Sequence, residues 1–245
     1  MKRGKKKGQI SLFIIVAIIL LVVVVSYILV KNKASNLGGD VSVEIKPIYD
    51  FVNNCIKETA IDGIYYVSET GGYFLSPELS TEDGIAYYYF NGESKLPSNE
   101  KIESEISLYI ENFLEFCIGD FVDYPDFEIN SKELKVLTFI ENNQIIVSSD
   151  YLITVKKADK TYTFNKFKSN IPIRMGLVYE VSNKIVEDQI ENNGDVCISC
   201  IDDYAEENNV FVNILDYDDE TILFIIRDLN SDIGDQEFKF YFASK

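Results

Sequence analysis

The sequence predicts an α+β protein with one transmembrane helix near the N-terminus, followed by a domain of helices packed on mostly antiparallel sheet. Three observations support this prediction. An uncharged, predominantly apolar run fills residues 10–30, with polar groups only at Ser11, Ser26 and Tyr27. In the remaining chain, apolar residues recur at helical spacing in some segments and alternate along others. The helical and strand segments are grouped rather than strictly alternating, which is typical of α+β folds.

The apolar run is the clearest single element. Its 21 residues carry no charge, and as a helix they would span roughly 31 Å, about the thickness of a bilayer's hydrocarbon core. Five cations precede the run, whereas only Lys31 and Lys33 follow it closely. The excess of positive charge favours a cytoplasmic N-terminus. We therefore expect a basic cytoplasmic tail at 1–9, a transmembrane helix at 10–30, a juxtamembrane segment at 31–45 and an extracytoplasmic domain at 46–245.

The junction between the basic tail and the apolar run contains a short motif. A basic stretch ends in Gly8, and Gln9 and Ser11 follow. Residues 5–16 resemble the class III signal peptide of archaeal type IV pilins and related surface proteins, which implies cleavage after Gly8. Phe13 stands where that family has a Glu that helps to register subunits in a filament, so the resemblance concerns processing more than filament assembly. The alternative is an uncleaved anchor, since the run is longer than a secretory signal core and lacks an A-x-A-like site.

The charge of the predicted external part restricts its partners. Seven of the 23 basic residues precede Asp40, the first acidic residue, so the chain from Ala34 carries 16 basic and 40 acidic residues, a net charge of −24. Such a surface repels nucleic acid and anionic lipid. The expected partners are the membrane, through the one transmembrane helix, and other cell-envelope proteins or further copies of the chain.

Two amphipathic helices are predicted in the first half of the domain. The first runs from about 46 to 68, with Pro47 in its first turn and Gly71-Gly72 after its end. Two short strands are expected at 72–75 and 84–90. The second helix begins near Ser98, a suitable N-cap, and ends at Gly119, with a domain sub-boundary left open near 119–125. Its apolar face is predicted to comprise Ile102, Ile106, Tyr109, Phe113, Phe116 and Cys117.

Strands dominate the second half. Residues 143–157 and 160–168 alternate in polarity and predict a hairpin around Ala158-Asp159. A third helix is expected at 173–192, closed by Asn193-Gly194. The remaining strands are predicted at 209–215, 221–227 and 236–242.

An acidic segment and a group of tyrosines could each form a binding site, but we predict a structural role for both. The acidic segment 228–235 resembles the opening of an EF-hand loop, but its glycine stands one place late and Lys239 occupies the twelfth position. It is therefore predicted to be an acidic connection between strands. Aromatic strand residues usually pack in cores rather than line grooves. We assign that role to Tyr65, Tyr66, Tyr87, Tyr88 and Tyr89.

The four cysteines all follow the apolar run, and an even number in an oxidising space favours disulfides. Cys55 and Cys117 lie on the apolar faces of the first two predicted helices, where antiparallel packing would join them. Two free buried thiols or other pairings are the alternatives. Cys197 and Cys200 form a C-x-x-C motif, interpreted as a structural clip. A redox-active pair and a zinc site are the less favoured interpretations, the latter because no second C-x-x-C is present.

The chain contains no histidine. This composition excludes Ser-His-Asp and Cys-His nucleophile systems, HExxH metalloproteases and His-ligated metals. No catalytic, cofactor-binding or metal-ligating residue is predicted. We expect a non-enzymatic, membrane-anchored component of the cell envelope that binds or supports other surface molecules. A pilin-like subunit processed after Gly8 and an extracytoplasmic thiol–disulfide oxidoreductase using Cys197 and Cys200 are the alternatives.

Overall fold

A computed structural model describes residues 42–233 and 236–245 of the chain. The predicted tail, the predicted transmembrane helix and the junction at Gly8, Gln9 and Ser11 lie outside these residues. Among the helices of the described part, none has the length and apolarity needed to cross a membrane. Residues Ser42–Lys245 form one compact unit, and residues 119–125 lie within it.

Four α-helices occur in the described residues, and three of them were predicted to within a few residues. Ser98 caps the second, since its hydroxyl accepts a hydrogen bond from the amide of Lys101, and Gly119 ends that helix in the left-handed region. The fourth helix was not predicted. The helices are α1 (Lys46–Glu69), α2 (Asn99–Ile118), α3 (Met175–Glu191) and α4 (Ile198–Asn208).

The strands form two sheets, which confirms the α+β class. We call them the C-terminal sheet, with strand order β2-β1-β9-β8-β7, and the hairpin sheet, in which β5 pairs with β3, β4 and β6. All pairings are antiparallel except that of β1 with β9. The strands are β1 (Tyr87–Phe90), β2 (Glu93–Ser94), β3 (Glu128–Ser131), β4 (Lys135–Ile140), β5 (Ile145–Lys157), β6 (Lys160–Ile171), β7 (Phe211–Asp216), β8 (Ile222–Ile233) and β9 (Gln236–Ser244).

Two predicted strands differ from the structure. Residues 72–75 form no strand but a looped segment, because their backbone is held by a side chain instead of by another strand. The buried carboxylate of Glu105 accepts hydrogen bonds from the amides of Phe74 and Leu75, at 2.8 and 3.4 Å. The strand expected at 221–227 continues to Ile233, through a register shift between Asp228 and Ile233.

Helix α1 connects the two sheets through its opposite ends. Near its start, Tyr49 stacks on Phe167 of β6 at 5.0 Å between ring centroids. Near its end, the Tyr65 hydroxyl donates to the carbonyl of Gln236, and its ring meets Phe238 of β9 edge-on. Fully buried aliphatic residues such as Val52, Ile56 and Ile64 lie between these contacts. The core is therefore continuous along this helix.

Helix α2 protects the outer edge of β4. This strand pairs only with β5 among the described strands, so its outward N–H groups need other acceptors. Residues four apart in a helix are separated by about 6 Å along its axis, which is close to the roughly 6.6 Å between alternate residues of a strand. Three α2 side chains therefore meet alternate amides of β4: Glu111 accepts from Val136 at 2.8 Å, Ser107 from Thr138 at 3.1 Å and Glu103 from Ile140 at 2.8 Å.

We expect Ser107→Ala to lower the free energy of unfolding by about 1–3 kcal/mol, because the buried amide and hydroxyl of Thr138 both lose their partner. Urea denaturation measures the loss, and hydrogen exchange should show faster exchange at the Thr138 amide. Ser104→Ala is the matched control, since Ser104 is an exposed serine on the same helix. An equal loss in the two variants would contradict the edge role of Ser107.

Candidate functional site

The bond between Cys55 and Cys117 joins α1 to α2, as predicted. The two Cα atoms are 5.6 Å apart, and the cysteines are separated by 62 residues in the sequence. Cys55 is buried whereas Cys117 is on the exposed side of α2. The bond therefore lies at the rim of the core and fixes the middle of α1 against the end of α2.

The second disulfide, between Cys197 and Cys200, lies at the start of α4. Cys197 is the N-cap residue, and its Sγ accepts a hydrogen bond from the Cys200 amide at 3.3 Å. The sequence did not predict the helix that follows this motif. Ile201 is the one buried residue of α4, so the segment lacks the apolar periodicity by which the other helices were predicted.

The surroundings of Cys197–Cys200 have opposing effects on thiol chemistry. A helix N-terminus lowers the pKa of a thiol and favours the reactive thiolate. Asp195, Asp202 and Asp203 are close in sequence, and their negative charge disfavours a thiolate. The structure therefore brings the motif to a helix N-terminus, as in thiol–disulfide enzymes, but within an acidic segment.

The acidic segment 228–235 is not a plain connection between strands, as the sequence analysis expected, because residues 228–233 belong to β8. The Asp228 side chain is fully buried and forms an ion pair with Arg174, whose Nε lies 2.9 Å from Oδ2. The Ser231 hydroxyl and the Asn230 amide also donate to this carboxylate. Burial raises the pKa of Asp228, but these hydrogen bonds outweigh it and hold the pKa below its ordinary value.

The carboxylate of Asp228 is therefore occupied by donors of the protein itself. This arrangement does not support calcium binding by the segment 228–235, which resembles the opening of an EF-hand loop. Across residues 42–233 and 236–245, no group of three or more Cys, Asp or Glu side chains is placed to hold a metal ion.

The five tyrosines predicted to be core residues differ in burial. Tyr65, Tyr88 and Tyr89 are buried, as predicted, and Tyr87 is partly buried and packs against the core cluster that contains Leu223. The Tyr88 ring stacks on Phe242 and its hydroxyl donates to the carbonyl of Gly71, while burial raises the pKa of this phenol. Tyr66 differs, since 45% of it is exposed.

Tyr66 belongs to a continuous row of aromatic rings on the outer side of α1 and α2, which we call the aromatic face. The closest pair, Tyr109 and Phe113, has ring centroids 4.5 Å apart, and the other neighbouring centroids are 5.5 to 6.0 Å apart. Tyr66 and Phe113 are 45% and 37% exposed, and Phe116, at the end of the row, is the most exposed at 81%. The aromatic face comprises Tyr66, Phe74, Tyr109, Phe113 and Phe116.

The aromatic face corrects a prediction about α2. Phe113 and Phe116 were expected on the buried face of this helix, but both are exposed, and Ile110, Leu114 and Ile118 fill the core instead. The sequence offers two apolar stripes on one helix, and hydrophobicity alone does not say which is buried. The aliphatic and the aromatic stripe are adjacent on α2, so residues of both were predicted to form a single buried face.

Backbone features hold the aromatic face in place. A Cβ atom at Gly63 would lie 2.7 Å from Cδ1 of Tyr109, so only glycine at this position of α1 lets that ring lie against the helix. The backbone of Phe74 is fixed by Glu105, whose carboxylate accepts a hydrogen bond from the Phe74 amide. Glu105 also forms an ion pair with Lys101. The rings are therefore positioned by the fold although they are partly or largely exposed.

Comparison with protein-family models, curated protein sequences and solved structures finds no significant match to this chain.

Proposed function

We propose that the chain is a membrane-anchored cell-envelope protein whose acidic domain stands outside the membrane and binds or supports other surface molecules without catalysing a reaction. The observation that carries this proposal is the pairing of all four cysteines in two disulfides. Disulfides persist in oxidising, extracytoplasmic spaces and are rare in the cytosol. The apolar run at 10–30 supplies the anchor.

The composition supports a binding role over an enzymatic one. Histidine, the commonest general acid or base, is missing from the whole chain. The most distinctive surface of the described domain is the aromatic face, and exposed apolar patches of this kind typically mark interaction sites.

The proposed location predicts which positions can be labelled from outside intact cells. Because the native cysteines are paired, an added cysteine provides a single free thiol. In Glu133→Cys, an exposed position between β3 and β4, we expect labelling by a membrane-impermeant maleimide in intact cells. In Lys6→Cys, the matched control in the predicted cytoplasmic tail, labelling should require permeabilised cells. Protection of Glu133→Cys in intact cells, with the protein in the soluble fraction, would overturn the proposal.

A pilin-like subunit processed after Gly8 is a second candidate, favoured by the residues Gly8, Gln9 and Ser11 at the junction. The intact mass of the membrane-extracted protein distinguishes the two candidates, because cleavage removes residues 1–8. Electron microscopy of sheared cell-surface material then shows whether processed chains assemble into filaments. Retention of Met1 would rule out this candidate and leave the anchored form.

A thiol–disulfide oxidoreductase is a third candidate, favoured by the position of Cys197 and Cys200 at the start of α4. Thiol titration after incubation with a glutathione buffer of cytosolic ratio tests it. A bond that stays oxidised in this buffer would identify a structural clip, whereas ready reduction would support exchange chemistry.

A further inference from the structure

We infer that the aromatic face is a docking surface for a basic, arginine-bearing segment of a partner polypeptide. The inference rests on the proposed binding role and specifies the surface used and the class of partner bound. Its first support is geometric. The rings contact one another, and they remain exposed at Tyr66, Phe113 and Phe116. Gly63 leaves room for the Tyr109 ring against α1, and Glu105 accepts a hydrogen bond from the Phe74 amide.

The second support is the charge beside the rings. Glu58, Asp62 and Glu69 are exposed on α1 and fall on the same helical stripe as Tyr66, at spacings of three and four residues. Asp62 directly precedes Gly63, against which the Tyr109 ring lies, and is four residues from Tyr66, so its carboxylate stands beside the rings. Burial raises the pKa of the Tyr109 phenol, and the negative charge of Asp62 adds to this rise. The neighbouring cation Lys57 points to another side of the helix, since it precedes Glu58 directly.

Rings and carboxylates side by side suit a guanidinium group. Arginine stacks on aromatic faces and forms paired hydrogen bonds with carboxylates, so both features of the surface recognise the same side chain. Anionic lipid fits poorly because the carboxylates would repel it. A second copy fits poorly too, because a symmetric contact would bring two acidic stripes together in chains with a net charge of −17.

The test uses the full chain, with one copy in each phosphatidylcholine nanodisc. The probe is a synthetic peptide in which Arg and Leu alternate and which ends in a single Trp. Because the chain contains no tryptophan, the change in the peptide's emission beyond that seen with empty nanodiscs reports binding to the chain. We expect Phe116→Ser to weaken binding on the order of tenfold, since it removes the most exposed ring without changing the charge.

Two comparisons separate docking from general attraction between opposite charges. Phe139→Ser is the control: it also removes an exposed ring without changing the charge, but Phe139 lies on β4, outside the aromatic face. This variant should bind the peptide with the affinity of the wild type. A peptide with Lys in place of Arg should bind more weakly to the wild type and lose little further affinity with Phe116→Ser. The combined variant Glu58→Gln, Asp62→Asn and Glu69→Gln should bind more weakly and show a smaller dependence on salt.

Equal affinity of wild type and Phe116→Ser would overturn the inference, because binding would then depend on diffuse charge alone. Nanodiscs that pair through the wild-type protein and separate with Phe116→Ser would also overturn it, in favour of a second copy as the occupant. A chain recovered in the soluble fraction is titrated with the same peptides in free solution, so neither result depends on where the protein resides. Failure of this inference is therefore distinguishable from failure of the labelling experiment on Glu133→Cys.

Discussion

Arg174→Met should lower the free energy of unfolding by about 3–5 kcal/mol, because it leaves the buried carboxylate of Asp228 without its counter-ion. Methionine retains much of the apolar bulk, so most of the loss comes from the charge and its hydrogen bonds. Chemical denaturation measures this loss.

Arg174 has a large effect because it joins three elements. It precedes α3, pairs with Asp228 on β8, and donates to the carbonyls of Asn208 and Asn209 at the end of α4, at 3.3 and 3.2 Å. Replacing it leaves both carbonyls without this donor. We expect the end of α4 to show faster hydrogen exchange in the variant.

Arg227→Met is the matched control. Arg227 pairs with Glu237 on the neighbouring strand, with Nε 2.9 Å from Oε1, but both side chains are partly exposed. Solvent screens such pairs, so the expected loss is about 1 kcal/mol or less. Similar losses of unfolding free energy in the two variants would show that the burial of Asp228 does not increase the contribution of its ion pair to stability.

The same ion pair predicts a dependence on pH. The folded-state pKa of Asp228 lies below its ordinary value, so the folded protein favours the ionised form. This contribution to stability is complete above the unfolded-state pKa of about 3.9 and is lost as the pH falls through the lower folded-state pKa. In Asp228→Asn this part of the acid destabilisation should disappear. An unchanged slope of unfolding free energy against pH below about 4 would contradict this assignment.

The elements that could be predicted from the sequence are those whose signals are local. Helices α1 to α3 and the hairpin of β5 and β6 were predicted because each has a clear hydrophobic period or a capping residue such as Ser98. The pairing of Cys55 with Cys117 was also predicted correctly, although Cys117 lies on the exposed side of α2 and not on its buried face. In these cases the residues that determine the structure lie within the same segment.

The elements that were missed depend on distant partners. Asp228 continues a strand because Arg174, 54 residues earlier, neutralises its charge, and no local pattern marks that pair. Residues 72–75 are held by Glu105, which looks like an ordinary surface residue of a helix in the sequence. Phe113 and Phe116 were assigned to the buried face of α2 for a similar reason. Ile110 and Leu114 are buried instead, and this choice is decided by the packing of α2 against α1 and β4.

The double variant Cys55→Ala with Cys117→Ala should lower the free energy of unfolding by about 4 kcal/mol, since the bond closes a 62-residue separation in the unfolded chain. The double variant Cys197→Ala with Cys200→Ala is the natural comparison. Its bond spans a separation of 3 residues, and the same chain-entropy model gives about 2 kcal/mol or less. Urea denaturation of both variants under non-reducing conditions measures the difference.

The denaturant dependence tests the mechanism as well as the magnitude. A cross-link over a long separation keeps the unfolded chain compact, so removing Cys55–Cys117 should expose more surface on unfolding and raise the m value. Removing the short clip leaves the dimensions of the unfolded chain nearly unchanged, and its m value should match that of the wild type. A large loss of stability with unchanged m in the Cys55 and Cys117 variant would place the effect in the folded state. The bond would then act chiefly through the packing of α1 against α2 rather than through chain entropy.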